Sequence, residues 1–186
     1  MKRMTLLLTI VFLATGSLTA QSDIGLKGVG AHVGFVMPDD PMDNALGFGA
    51  QAALGTIIPD LHLSAFLDYW ANSYDTGFGT DAEVTFSLLS IGALAKYHFA
   101  MDGQFTPYAG GGLGLSIGTS KIDYSSEFFG DMSESESDTE LGIHLVGGAI
   151  TPLSDTLDGF AELRYTLGDD VDYLGIWVGV NYKLSQ

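Results

Sequence analysis

Period-two alternation of apolar and non-apolar side chains runs through almost the whole chain, and it constrains the fold more than any other feature. Successive side chains of a strand point to opposite faces, so such a stretch has one face of each kind. From Asp172 to Leu184, one face reads Leu174, Ile176, Val178, Val180, Tyr182 and Leu184. The other reads Tyr173, Gly175, Trp177, Gly179, Asn181 and Lys183. No stretch beyond the N-terminal segment has the apolar length of a transmembrane helix. Glycine, at 25 of 186 residues, further disfavours helices.

The same split recurs in seven other segments, predicting eight strands: 24–37, 45–58, 61–72, 83–100, 105–120, 139–151, 157–167 and 172–184. In the first, Val29, Ala31, Val33 and Phe35 alternate with Gly28, Gly30, His32 and Gly34, but Lys27 falls on the apolar side. Elsewhere the apolar faces carry no charge. The opposite faces hold Gln51, Asp68, Lys96, Glu162 and Arg164 among many glycines. A soluble, lipocalin-like barrel would turn its apolar face inward. Charges confined to one face and uncharged branched residues on the other instead fit a barrel with lipid outside and a polar interior.

The connections agree. Short turns at 59–60, 101–104 and 152–156 alternate with longer polar links at 38–44, 73–82 and 121–138; the tight 168–170 is the exception. This predicts an all-β fold, an eight-stranded antiparallel up-and-down transmembrane barrel, with both termini on the short-turn side. Outward aromatics then form two bands: Phe35, Phe48, Tyr69 and Tyr165 toward the loops, and Tyr97, Phe99, Phe105 and Tyr182 toward the turns. Aromatic girdles at both interfaces are expected of such barrels.

Residues 1–20 read as an export signal: Lys2 and Arg3, then the apolar run 6–14, then Leu18-Thr19-Ala20. The barrel domain is expected over 21–186. With 7 basic against 23 acidic residues, the net charge of −16 argues against nucleic acid as a partner. The absence of cysteine rules out disulfides, thiol catalysis and Cys-based metal sites.

Thr106-Pro107-Tyr108-Ala109-Gly110-Gly111-Gly112-Leu113-Gly114 resembles the Pro-Tyr and spaced-glycine strand of the small outer-membrane β-barrel family, the group of OmpA-like transmembrane domains, OmpX and opacity proteins. Glu162-Leu163-Arg164-Tyr165 is similar to that family's penultimate strand. Gly179, Tyr182 and Leu184 resemble the C-terminal signal read by the outer-membrane assembly machinery, although the chain ends Leu184-Ser185-Gln186 where the family usually ends on an aromatic residue. The resemblance implies a bacterial outer-membrane location, with outer-membrane lipid and lipopolysaccharide as surroundings, and is nearly silent on activity.

Eight strands enclose an interior just wide enough for side chains to fill. Lys96, Glu162 and Arg164 are expected to pair inside, with Asp68 and Lys183 as further partners, as a satisfied polar core rather than a gate. Phe66, Trp70, Tyr108, Phe160 and Trp177 also point inward, as a plug would. All four histidines, His32, His62, His98 and His144, fall on inward faces. His62 and His98 lie on neighbouring strands, but no acidic third ligand accompanies them, and no metal or cofactor is assigned. His62-Leu63-Ser64 has the His-x-Ser spacing of lipid A deacylases, yet such a site must face lipid and these residues face inward; no catalytic role is expected.

Most acids gather at the loop end. They include Asp39, Asp40 and Asp43, then Asp75, Asp81 and Glu83, and then Asp169, Asp170 and Asp172. The link 121–138 is the most acidic and is expected to be the most mobile part of the chain. Its Tyr124, Glu127, Phe128, Phe129, Asp131, Glu134 and Glu136 are the candidate surface-interaction residues, with weak binding of divalent cations at this rim. The function expected is a structural or surface-interaction (adhesion) role; the alternative is a narrow channel or carrier for small apolar molecules.

Overall fold

The computed structural model describes residues 22–39, 42–75, 82–126, 130–168 and 171–184. The expected signal segment, 1–20, lies outside them. Eight strands form: β1 (Asp23–Pro38), β2 (Ala45–Ile58), β3 (Leu61–Asp75), β4 (Ala82–His98), β5 (Thr106–Ser126), β6 (Gly130–Pro152), β7 (Leu157–Leu167) and β8 (Tyr173–Lys183). Each pairs antiparallel with its sequence neighbours. Pairing of β1 with β8, from Gly28↔Lys183 to Pro38↔Tyr173, closes the barrel.

Closure and alternation together dictate the two surfaces. A spanning strand must pair on both edges, because hydrocarbon offers no hydrogen bonds. Its two rows of side chains then face lipid and lumen. Leu46 is 78% exposed and Phe105 62%, with Val33, Leu113, Ile143 and Val178 also exposed on the outer surface. Asp68, Arg164 and Glu162 are buried inside. The aromatic bands are present as well: Phe48 meets Tyr69 with ring centroids 5.4 Å apart at the loop side, and Tyr97 meets Phe99 at 5.2 Å on the turn side.

Two expectations are corrected. The first concerns Lys27, which strict alternation puts on the lipid side. A register shift between Ile24 and Gly28 adds a bulge to β1, so Ile24 and Leu26 stay outside while Lys27 turns into the lumen. A bulge inserts one extra residue and so resets which face follows. The second concerns 121–138, expected as a mobile loop. Its described residues are strand: β5 and β6 pair continuously from Thr106↔Ile150 to Ser126↔Gly130. Ser-Glu-Ser-Glu-Ser-Asp keeps the period of two without an apolar face, and it is held by cross-strand contacts such as Thr119 Oγ1 to Ser137 Oγ at 3.0 Å. β4 supports the other side of β5 as far as Ala82↔Tyr124. The result is a ribbon that continues the wall outward; strand preference here is set by neighbours more than by composition.

The lipid-facing assignment predicts an asymmetry. Val178 lies mid-strand between Val33 and Ala161. A lipid-facing charge near the midplane costs about 2–4 kcal/mol, so Val178→Arg should lower folding stability in lipid by that order. Gly142→Ser is the lumen control, because a Cβ there meets its nearest neighbour, His144 Nε2, at an ordinary 3.4 Å. Denaturant titration in vesicles should show little change for it. Equal tolerance of the two substitutions would contradict the inside-out arrangement.

Candidate functional site: the barrel lumen

Register places the inward residues in successive layers from the turn end to the loop end. On β3 these are His62, Ser64, Phe66, Asp68 and Trp70; on β7 they are Asp158, Phe160, Glu162, Arg164 and Thr166. The middle layers carry the charges. Arg164 donates through Nη2 and Nε to Glu162 Oε1, at 2.7 and 3.0 Å, and through Nη1 to Asp68 Oδ2. Lys96 Nζ donates to Glu162 Oε2 at 2.5 Å, and Tyr108 Oη donates to the same oxygen at 2.9 Å. His32 Nε2 lies 2.6 Å from Asp68 Oδ1. The Arg164 guanidinium stands 4.5 Å from the ring centre of Phe66.

Two carboxylates and two cations thus cancel inside one hydrogen-bonded cluster that crosses the lumen from β3 to β7. A buried charge is tolerated only with such partners. Asp68, Lys96, Glu162 and Arg164 meet as expected. Lys183 does not join them: it pairs with Asp158 at 2.7 Å at the turn-end rim, because its position near the end of β8 lies too far along the barrel axis to reach Glu162. His32 and Tyr108 belong to the cluster but were not expected in it. Their inward faces were legible; their level along the barrel was not.

Toward the loops, the lumen is filled by Val36, Ala45, Trp70, Leu88, Tyr173 and Trp177. The Trp177 indole fits because glycines surround it: a Cβ at Gly47 would stand 2.7 Å from its Cη2. Phe66, Tyr108 and Phe160 are buried below, completing the expected plug. Beyond it, Phe86, Leu88 and Val171 floor a recess of about 380 Å3 whose wall carries Glu136, Asp138 and Glu140. At the turn end a second cavity, of about 400 Å3, reaches Lys96 and Tyr108. His62 and Ser64 both line it, facing away from lipid. The rings of His62 and His98 stack with centroids 4.0 Å apart.

Of the candidate surface residues, Glu136 is exposed on β6, and Tyr124, Asp131 and Glu134 fall on the β5–β6 ribbon by backbone pairing. Glu127, Phe128 and Phe129 lie outside the described residues. At the end of β8, Tyr182 is exposed on the outer face, Gly179 packs against β1, and the Leu184 amide donates to the Lys27 carbonyl at 2.8 Å.

Lipid-facing walls, aromatic bands and a neutralised lumen define an integral outer-membrane barrel of the small, closed kind. The family model described as "outer membrane protein beta-barrel domain" matches residues 5–183, and the chain belongs to that family. Solved structures with the same fold include Ail, the attachment invasion locus protein of Yersinia pestis (19% identity, 86% of this chain and 100% of that one, TM-score 0.53). Neisserial surface protein A is similar at 24% identity over 84% and 96% of the two chains, with a TM-score of 0.51. A major outer membrane protein of Thermus thermophilus is similar at 12% identity over 86% and 100%, with a TM-score of 0.53. A search of curated proteins by sequence finds no match.

Removing one partner from a buried ion cluster costs roughly 3–5 kcal/mol. Glu162→Gln leaves Lys96 and Arg164 without their shared anion and should lower thermal stability accordingly, measured by heat-dependent unfolding in micelles. Conductance in planar bilayers should stay at background, because Val36, Trp70, Leu88 and Tyr173 still fill the lumen on the loop side of the cluster. A large new conductance would show that the cluster alone keeps the lumen shut.

Proposed function

We propose that the protein is a non-enzymatic surface-interaction protein that presents the β5–β6 ribbon to a basic partner outside the cell. The observation that carries this reading is an unpaired edge. β6 pairs with β7 only from Ile143↔Leu167 toward the turn end, whereas its pairing with β5 continues to Gly130. Among the described residues, no strand covers the other side of 130–139. A free edge presents backbone donors and acceptors to which an extended segment can add.

Charge sets the kind of partner. Glu136 and Asp138 are exposed along this edge, and the whole chain carries −16. Ail was crystallised with a heparin analogue, sucrose octasulfate. A polyanion of that kind suits this acidic ribbon poorly, so the partner here is of opposite sign. Hard divalent cations bind weakly on the same oxygens and link the rim to lipopolysaccharide phosphates around the barrel. At the other end, Gly179, Tyr182 and Leu184 serve the assembly machinery. The filled lumen favours this reading over a channel or carrier.

The test replaces 123–133 by an Asn-Gly turn, which closes the pair Ile122↔Glu134 with a compact hairpin. The barrel should fold with an unchanged denaturation midpoint. Cells displaying it should lose adhesion to basic protein surfaces. The double variant Glu136→Gln/Asp138→Asn should keep the ribbon but lose the calcium and salt dependence of adhesion. If adhesion survives both changes, the ribbon is only a solvated extension and the role lies elsewhere.

A further inference from the structure

We propose that the turn-end cavity is a binding site for a small flat anion, an aromatic carboxylate or a molecule of that chemistry. Its volume, about 400 Å3, falls in the range of small-molecule sites. Its lining is unusual for this chain. Beyond residue 20 the sequence has five basic residues, Lys27, Lys96, Lys121, Arg164 and Lys183, against 23 acids. Lys27, Lys96 and Lys183 all line this one cavity, with Asp23 and Asp158 beside the two at its mouth.

One wall is a run of stacked rings. His62 lies on His98 with centroids 4.0 Å apart and planes 21° off parallel, and His98 lies on Tyr108 at 5.4 Å and 25°. Lys96 Nζ sits 5.0 Å from the centre of the Tyr108 ring, and Phe160 also lines the space. Flat π-faces beside ammonium groups suit a planar body with an anionic head. Ser64 Oγ is buried in the same lining with no hydrogen-bond partner in the protein, so it is a polar group available to a ligand.

The backbone is also shaped for the cavity. All the irregularities in the described strand pairings fall here: between Ile24 and Gly28 on β1, and on β2 between Ala53 and Thr56 and between Thr56 and Ile58. Gly55, at φ +89°, allows the β2 irregularity. Bulges gather where a wall must re-aim a side chain. Here they turn Lys27 and Thr56 into the lining.

The lysines at the mouth are paired but replaceable. Lys27 holds Asp23, whose side chain is 75% exposed, and Lys183 holds Asp158 at the rim. Each pair has one solvent-exposed partner, so water screens it and its ammonium can be shared with an incoming anion. Lys96 is committed to Glu162 and forms the floor. Because the ion cluster and the plug stand behind it, the cavity binds without passing its ligand outward.

The test titrates 2-naphthoate into the refolded full chain in lipid nanodiscs, with the neutral 2-naphthamide as comparison, following backbone amides by NMR. Shifts should centre on the amides of 27–28, 62–64 and 181–183. A charge-assisted contact distinguishes the two probes, so naphthoate should bind about tenfold more tightly than the amide. Lys183→Gln and Lys27→Gln should each remove most of that preference while leaving naphthamide unchanged. Ser64→Ala, which preserves all lysines, should weaken both probes. Equal binding of naphthoate and naphthamide, or a preference untouched by both lysine variants in folded protein, would overturn the proposal. So would shifts confined to the lipid face, which mark partitioning into the membrane.

Discussion

Pairing of β1 with β8 is the contact on which everything else rests. It removes the last free edge from the hydrocarbon, where an unpaired amide or carbonyl has nowhere else to bond. Once the sheet is closed, alternation gives one row of every strand to lipid and the other to the interior. Polar residues then have only the lumen, and eight strands make it narrow. Asp68, Glu162, Lys96 and Arg164 are therefore pressed into contact whether or not any activity uses them. Their mutual neutralisation is what lets a charged interior sit inside a membrane, and the apolar block around Trp70 and Trp177 completes the closure.

The face of each residue was legible in the sequence, because a period of two assigns faces without any knowledge of the fold. Strand order followed from the short and long connections. The end of the barrel was legible but the exact level was not, since it depends on how far each strand slides against its neighbours. Hence Lys183 has the face expected of it but meets Asp158 instead of Glu162, while His32 and Tyr108 enter the cluster unforeseen. Lys27 looked misplaced because periodicity counts residues, and the register shift between Ile24 and Gly28 breaks that count. The ribbon was hidden for a different reason. Ser-Glu-Ser-Glu alternates like a strand, but neither of its faces is apolar, and the signal that makes it one is the pairing with β5.

The two ends of the barrel also differ in how their charges are arranged. The loop end carries Glu136, Asp138 and Glu140 over a floor of Phe86, Leu88 and Val171. The turn end carries Lys27, Lys96 and Lys183, paired with Asp23, Glu162 and Asp158, around stacked rings. Of the five basic residues beyond residue 20, only Lys121 lies on the acidic ribbon. The rim therefore stays strongly acidic, while each turn-end lysine is matched by a carboxylate of its own.

The neutral layer between the two ends has a further consequence. Coupling between sites needs an element with two arrangements that both sites bias. The ion cluster here has every charge matched, and the plug above it is packed against glycine backbone, as at Gly47 under Trp177. Neither offers a second arrangement of comparable energy. The ribbon and the turn-end cavity are therefore separate devices on one scaffold, and a change at either end should leave the other as it was.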